Sequence, residues 1–168
     1  VTDKLAVRLV ALQRIDAGFL DNPALDDSGS NDLRVRGLRG SIVFTPTETT
    51  RISALSMYQE YDLDDQTYVF IIPGTRNYTR PTTVREYQDS DFQMHSLRVE
   101  QDLGFATLTA VGSYTKKNAR SRFDYSFGVD FDPRTGTRIV GDGFGHSKPE
   151  YGELRLASTD GARFRWLA

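Results

Sequence analysis

Aromatic and arginine side chains concentrate in two long polar stretches of the chain, residues 61–92 and 116–148. These side chains are well suited to bind a ligand. Tyrosine and phenylalanine rings offer stacking area for sugars or planar chelates, and the arginine fork binds carboxylate or phosphate groups. Arg80 lies in the first stretch. The competing interpretation is that these side chains only pack the loops on one another. The predicted ligand-binding residues are Tyr61, Tyr68, Arg76, Tyr78, Arg122, Tyr125 and Phe127.

Catalytic and metal chemistry find little support in the sequence. The two histidines, His95 and His146, have no neighbouring motif that would supply the partner a general base requires. Asp130 and Asp132 precede Gly136 with a spacing that resembles a calcium loop, but the further ligand and the closing glutamate are missing. We therefore expect no catalytic residues, no metal site, no cofactor and no enzymatic activity.

The composition limits the possible partners and environments. The formal net charge is −2 and there is no Lys/Arg-rich run, so the chain lacks the basic surface that nucleic-acid binding requires. It contains no cysteine, which excludes disulfides and thiolate metal sites. No apolar run approaches the roughly 20 residues of a membrane helix. A membrane β-strand, with about ten alternating residues, gives a much weaker signal and is not excluded.

Alternating apolar and polar residues predict an all-β protein. In one run, Leu97 and Val99 alternate with Arg98 and Glu100, which is the period of a strand with two different faces. Seven such runs make one domain, residues 1–168, an antiparallel up-and-down meander of about seven strands. The predicted strands are 4–14, 33–44, 51–60, 93–101, 105–115, 150–157 and 163–168.

The connections between these runs alternate strictly in length. Short turns are expected at 45–50, 102–104 and 158–161, and long loops at 15–32, 61–92 and 116–148. In a meander every second connection lies at the same end of the sheet, so all long loops should project from one end. Short periplasmic turns with long extracellular loops are typical of outer-membrane barrels, whose walls must also close.

Side chains along the runs fit the same interpretation. Aromatic residues, among them Phe44, Phe105 and Trp166, cluster near the short turns, as an interfacial girdle would require. Others, including Tyr58 and Tyr114, lie near the long loops. Charged residues that would face the lumen of such a barrel are Lys4, Arg8, Arg34, Arg36, Arg98, Glu100, Glu153 and Arg155.

Several stretches resemble the barrel strands of TonB-dependent outer-membrane receptors. They are 2–8, the hairpin from 44 to 58, the hairpin from 102 to 114, and residues 153–167. The resemblance implies a segment of an active transporter for a siderophore, haem, cobalamin or an oligosaccharide, located in the bacterial outer membrane. Receptors of this family have about 22 strands and a plugged lumen.

The chain departs from the family pattern in what it lacks. We find no plug domain, no peptide that contacts the energy transducer and no terminal aromatic strand, and we interpret both ends of the sequence as cut. We therefore expect a fragment of the transmembrane barrel. Its partners would be outer-membrane lipid and, in a longer protein, the plug and the energy transducer. If the fragment folds alone, its exposed strand edges must either pair with another copy of the chain or curl into a smaller sheet.

Two alternatives stay open. A passive or structural outer-membrane barrel would share the layout of strands and loops. A soluble all-β ligand-binding module, stacking a ligand on its aromatic rings, is favoured by the mean hydropathy of −0.47. Against it, barrel strands are only half apolar, and long polar loops lower the average.

Overall fold

A single antiparallel sheet makes up the regular structure of this chain. The computed structural model describes residues 3–69, 78–126, 138–159, 161 and 163–168. The prediction of an all-β antiparallel meander is confirmed, because the first six strands pair in chain order, the seventh pairs with the fifth, and every pairing is antiparallel. The strands are β1 (Leu5–Asp16), β2 (Leu33–Thr47), β3 (Thr50–Leu63), β4 (Tyr87–Asp102), β5 (Ala106–Asp124), β6 (Val140–Ser147) and β7 (Glu150–Ser158).

The last two strands form one continuous edge beside β5. Ser147 of β6 lies opposite Lys117, and Glu150 of β7 lies opposite Tyr114, so both pairings share one register. Between them, the Thr115 amide donates a hydrogen bond to the Pro149 carbonyl at 3.0 Å. The sheet is therefore six strands wide, with β1 at one edge and β6 and β7 together at the other.

Short turns connect the strands at one end of the sheet. Only Glu48 and Thr49 separate β2 from β3, so these strands run further into the predicted turn at 45–50 than expected. In the next turn, Gly104 has a φ of 84°, and its amide donates to the Asp102 carboxylate at 2.7 Å. Glycine adopts this left-handed conformation without a steric penalty.

Long connections lie at the other end, but they are shorter than the sequence predicted. They span 17–32, 64–86 and 125–139. Within the predicted loop 116–148, residues 116–124 belong to β5 and residues 140–147 form β6. Likewise, 61–63 and 87–92 of the predicted loop 61–92 are strand. These strands were missed because they are polar on both faces and show no apolar alternation.

The predicted strand 163–168 is present only as a short pairing. The Ser158 amide donates to the Trp166 carbonyl at 3.0 Å, and Leu156 and Ala168 exchange two backbone hydrogen bonds of 2.9 Å. Only an isolated bridge, Ala157 to Leu167, is formed. Residue 160 of the predicted turn lies outside the described residues.

One face of the sheet, which we call the apolar face, carries two successive rows without a polar side chain. Residues directly opposite each other in an antiparallel sheet share a face, so the register defines these rows. The first row is Leu5, Phe44, Ile52, Val99, Ala110 and Leu154, and the second is Val7, Ile42, Ala54, Leu97, Gly112 and Gly152.

The opposite side, which we call the mixed face, is polar at the same level. Its corresponding rows are Ala6, Val43, Ser53, Arg98, Val111 and Glu153, followed by Arg8, Ser41, Leu55, Ser96, Ser113 and Tyr151. The two faces therefore differ sharply in polarity near the short turns.

The expectation that all the named charges share a face is wrong for two of them. Arg8, Arg98, Glu100, Glu153 and Arg155 lie on the mixed face. Arg34 and Arg36 lie opposite Ile15 and Gln13, in rows that continue the apolar face toward the long connections. Between its two apolar rows and the long connections, the apolar face therefore carries charged side chains.

Most of the buried side chains that the structure describes lie in the long connections, although Val35, Leu63 and Ala106 of the strands are also buried. In the described part of the chain, the elements in contact are neighbouring strands of this one sheet. Leu9 is 71% exposed, Leu97 50% and Leu154 71%. The largest fully buried side chains among the described residues are Arg80, Leu20, Glu86, Asn22 and Thr82, all in the long connections.

Candidate functional site

The first two long connections are joined by backbone and side-chain hydrogen bonds. The Asp21 amide donates to the Tyr78 carbonyl at 2.9 Å, and the Arg80 amide donates to the Asp21 carbonyl at 2.8 Å. The Asn22 side chain adds a bond from Nδ2 to Thr82 Oγ1 at 2.6 Å. Two connections far apart in sequence thus form one structural unit at the end of the sheet.

Asp124, the last residue of β5, fastens this unit to the strand. Its Oδ2 accepts bonds from the Thr83 amide at 2.5 Å and the Thr83 hydroxyl at 2.8 Å, and Oδ1 accepts from the Ser126 amide at 2.9 Å. Burial raises the pKa of this carboxyl, but the bonds from Ser126 and Thr83 outweigh it and the pKa is lowered. Asp124 is therefore a buried carboxylate that is fully hydrogen-bonded.

Beneath these bonds lies a buried ionic group that we call the Arg80 centre, made of Asp65, Arg80 and Glu86. Arg80 Nη2 lies 2.5 Å from Glu86 Oε2, and Arg80 Nε lies 3.9 Å from Asp65 Oδ1. The guanidinium also stacks over the Tyr68 ring, 4.2 Å from its centroid. The side chains of Arg80 and Glu86 are 1% and 0% exposed.

The Arg80 centre places two carboxylates around a single cation. Desolvation by burial raises the pKa of Glu86 to about 7, and the nearby Asp65 carboxylate adds to this. A hydrogen bond from the Asp124 amide to Glu86 Oε1 at 2.6 Å and the charge of Arg80 act in the opposite direction. Glu86 therefore takes up a proton close to neutral pH.

A second carboxyl pair lies where β2 and β3 meet the long connections. A hydrogen bond to Asp32 raises the pKa of Asp64 to about 6, while the same bond lowers the pKa of Asp32. Arg34 pairs with Asp32 at 2.8 Å and approaches Asp64 at 3.9 Å. Again two carboxyl groups share the charge of one arginine.

The predicted ligand-binding residues occupy different parts of this end of the molecule. Tyr68 is engaged with Arg80, and its hydroxyl accepts a bond from Arg80 Nη2 at 3.2 Å. Tyr78 is 68% exposed and packs edge-on against Phe19, with centroids 6.4 Å apart. Tyr125 is exposed and lies across Gly141, where an added Cβ would approach its ring to 2.7 Å.

The remaining predicted residues do not converge on one site. Arg122 forms a forked ion pair with Asp142, with distances of 2.7 and 3.2 Å. It lies in the rows of the apolar face, whereas Tyr61 belongs to the mixed face. Arg76 and Phe127 lie outside the described residues. The structure thus joins Tyr68 to the Arg80 centre and places Tyr61 and Arg122 on opposite faces.

Arg80 was grouped with the ligand-contacting loop residues, and the structure does not support that role. Its guanidinium is buried and committed to Glu86, Asp65 and Tyr68. Sequence reasoning missed the centre because an arginine and two acids in polar loops ordinarily indicate solvated side chains. No local spacing indicates that Asp65 and Glu86 meet.

In the part of the chain that the structure describes, the histidines and acidic residues show no arrangement that indicates catalysis or metal binding. His95 Nδ1 lies 2.9 Å from Ser56 Oγ, and His146 Nδ1 lies 2.6 Å from Asn118 Oδ1. Within the described ranges, no group of three or more His, Cys, Asp or Glu could hold a metal ion. The predicted turn at Asp130–Gly136 falls outside those ranges.

Comparisons with protein-family models, curated proteins and solved structures give no match to this chain. Residues 3–69, 78–126, 138–159, 161 and 163–168 include no helix long and apolar enough to cross a membrane.

Proposed function

We propose that this chain is part of the wall of an outer-membrane β-barrel, in an active transporter of the TonB-dependent receptor class. The observation that carries the proposal is the contrast between the two faces near the short turns. There, two full rows of the apolar face have no polar side chain, while the mixed face carries Arg8, Arg98 and Glu153 at the same level. Lipid-facing and lumen-facing residues of membrane barrels alternate in this way.

Exposure of the apolar rows supports contact with lipid. A soluble sheet buries its apolar face against another layer, because apolar surface gains about 25 cal/mol per Å² on leaving water. Val7, Ile42 and Leu97 are 55%, 45% and 50% exposed, and in the described part of the chain only strands of the same sheet contact each other. Hydrocarbon would cover such a face without any protein layer.

Aromatic side chains lie on both sides of the apolar rows, as they do at the two interfaces of a membrane. Tyr114 and Tyr58 lie on the apolar face, next to the charged rows, and Phe105 is 66% exposed beside the β4–β5 turn. From Thr50 to Tyr58, eight residues at about 3.3 Å each span about 26 Å along β3. At the tilt of about 35–45° that barrel strands have, this length covers about 20 Å along the membrane normal, most of the apolar band of about 25 Å.

The two unpaired edges support a wall that continues beyond this chain. Backbone groups in lipid must be hydrogen-bonded, so membrane sheets close into barrels. Among the described residues, nothing pairs with the outer edges of β1 and β6, and on its outer edge β7 pairs only with the short segment 166–168. In the proposal, further strands of a longer protein occupy these edges, and that protein supplies the plug and the contact with the energy transducer.

In this proposal, the long connections form the outer, ligand-facing end. The exposed rings of Phe19, Tyr78 and Tyr125 present stacking surface there, held in place by the buried network around Arg80. A siderophore, haem, cobalamin or an oligosaccharide would offer planar or ring surfaces for such contacts. The class of transporter rests on the resemblance of the strands and short turns.

Fractionation of the native protein tests the membrane assignment. Because the apolar face would be in hydrocarbon, we expect the chain to stay with outer-membrane vesicles after high-salt and alkaline washes. Detergent should release it. A periplasmic protein and an integral barrel, followed in the same fractions, serve as the two controls. Recovery of the folded chain in the soluble fraction without detergent would reject the proposal and favour a soluble β module.

A further inference from the structure

The Arg80 centre has an excess of one carboxylate over the cations that face it. Glu86 is approached by Arg80 and Asp65 from the β3–β4 connection and by the amide of Asp124 from β5. Asp124 is itself a carboxylate, and the bonds from Thr83 and Ser126 stabilise its charged form. With both acids ionised, Asp65, Arg80 and Glu86 together carry one uncompensated negative charge in a buried site, which is unfavourable.

The geometry leaves a place for one proton. Glu86 Oε2 is buried, and no hydrogen bond reaches it among the described residues, although Arg80 Nη2 lies 2.5 Å away. Glu86 Oε1, in contrast, accepts from the Asp124 amide. Burial, and to a smaller extent the neighbouring Asp65 carboxylate, favours the protonated form of Glu86. The centre would then be neutral.

The Arg80 centre also lies where hydrogen bonds join the long connections to one another. Arg80 bonds through its amide to Asp21 of the first connection, and Glu86 bonds to Asp124 at the start of the third. Asp65 accepts a bond from the Ser30 hydroxyl at 2.9 Å, again from the first connection. Any change in the charge of the centre therefore acts on contacts among these connections.

We propose that the Arg80 centre is a proton-operated clasp, in which uptake of one proton by Glu86 tightens the joined long connections. Phe19 and Tyr78 flank the bonds to Asp21, so the same step sets how firmly this exposed aromatic pair is held. The clasp does not depend on the membrane assignment, because every contact in it lies within the connections and their adjoining strand ends.

The direction of the pH effect follows from linkage. The pKa of Glu86 rises from 4.5 to about 7 on folding, so the folded connections bind the proton more tightly than the opened ones. The stability that this proton gives to the joined connections is fully present below pH 4.5, the pKa of Glu86 in the opened state. It is lost as the pH rises through about 7. Between pH 8 and pH 6 the equilibrium for opening should fall roughly tenfold.

Hydrogen exchange measures this opening directly in the full chain. The reporter amides are those of Arg80 and Asp124, which bond across the connections. After correction for intrinsic exchange rates, we expect their protection to rise roughly tenfold from pH 8 to pH 6. Amides of the β2–β3 hairpin near the short turns should show no such change. Constant or falling protection on acidification would overturn the clasp.

Charge-changing variants separate the clasp from a merely structural role. Asp65→Asn removes the excess negative charge, and the Ser30 hydroxyl can turn to accept from the new amide. We expect this variant to be better protected than the wild type at pH 8 and to gain less on acidification. Some pH dependence should remain, because burial, the largest cause of the raised pKa of Glu86, is unchanged. The double variant Asp65→Asn/Glu86→Gln leaves Arg80 without a counter-ion, and it should open readily at both. Glu48→Gln, in the distant β2–β3 turn, should behave as the wild type.

The outcome that contradicts the charge count is an Asp65→Asn variant with the same pH dependence as the wild type. Should that variant fail to fold, Glu86→Gln provides the second test and should remove the dependence altogether, because it removes the group that takes up the proton. The Asp32–Asp64 pair stays intact in all these variants. Because the pKa of Asp64 is about 6, any residual change centred below pH 6 belongs to that pair.

Discussion

At the end of the sheet that carries the long connections, close contact between backbone segments positions residues, in addition to the ion pairs. Gly18 and Gly29 pass so close that a Cβ on Gly18 would lie 1.8 Å from the Gly29 carbonyl oxygen. The neighbouring Asn31 side chain accepts bonds from the Phe19 and Leu20 amides, both at 2.8 Å. This approach shapes the first connection, which carries Asp21 and Asn22.

Gly18→Ala should therefore loosen the first connection. Forcing a methyl group into a filled space costs about 1–3 kcal/mol. The clash is with backbone, so it cannot be relieved by turning a side chain. We expect faster hydrogen exchange at the amides of Asp21 and Ser30, by about tenfold or more. Gly112→Ala is the matched control, because nothing lies within 4 Å of its added Cβ. Equal exchange in both variants would contradict this account of Gly18.

At the residue scale the sequence was a poor guide to the site. It identified Tyr68 and Tyr78 as candidates by residue type, and both lie at the long-connection end. It could not indicate that Arg80 and Glu86 are buried, because their burial depends on contacts among three connections far apart in sequence. It also could not show that Arg122 is already paired with Asp142.

Strands were predictable where only one face is apolar. In β4, Leu97 and Val99 alternate with Arg98 and Glu100, and the pattern gave the strand directly. The outer half of β5 and all of β6 were assigned to a loop because Lys116, Lys117 and Asn118 give no alternation. There, polar cross-strand pairs such as Asn118 with His146 take the place of apolar ones. A period-2 search cannot detect pairing of that kind.

The difference between the faces of one strand yields a matched pair of substitutions. Leu97 lies in the second apolar row, and its neighbour Ser96 points to the mixed face. If the apolar face contacts lipid, Leu97→Arg should lower the free energy of unfolding in bilayers by about 2–4 kcal/mol. Ser96→Arg should change it by less than 1 kcal/mol, since the lumen of a barrel tolerates charge.

Urea-induced unfolding in lipid vesicles, followed by the intrinsic fluorescence of Trp166, would measure both free energies. Equal costs for the two variants would show that the faces do not differ in environment. A larger cost for Ser96→Arg than for Leu97→Arg would indicate that the mixed face is the buried one. Either result would contradict the assignment of the apolar face to lipid.

For the whole molecule, the strand topology predicted from the sequence is confirmed, whereas the membrane environment of the sheet stays a prediction. The alternation of long and short connections predicted a meander with all its long loops at one end, and the strand order confirms it. That layout follows from chain direction alone. The environment of the sheet does not, because a face exposed in one chain can be covered by lipid, by another chain or by further strands.

The absence of cysteine makes that environment directly measurable. Ile42→Cys and Ser41→Cys place single thiols on adjacent residues of β2, on the apolar and the mixed face respectively. In the membrane-embedded protein, a water-soluble maleimide should label Cys at 41 and leave Cys at 42 unmodified. A fluorophore attached at 42 after unfolding and refolding should be quenched by bromine-labelled lipid chains. Rapid aqueous labelling at 42, or lipid quenching at 41 but not 42, would contradict a lipid-facing apolar face.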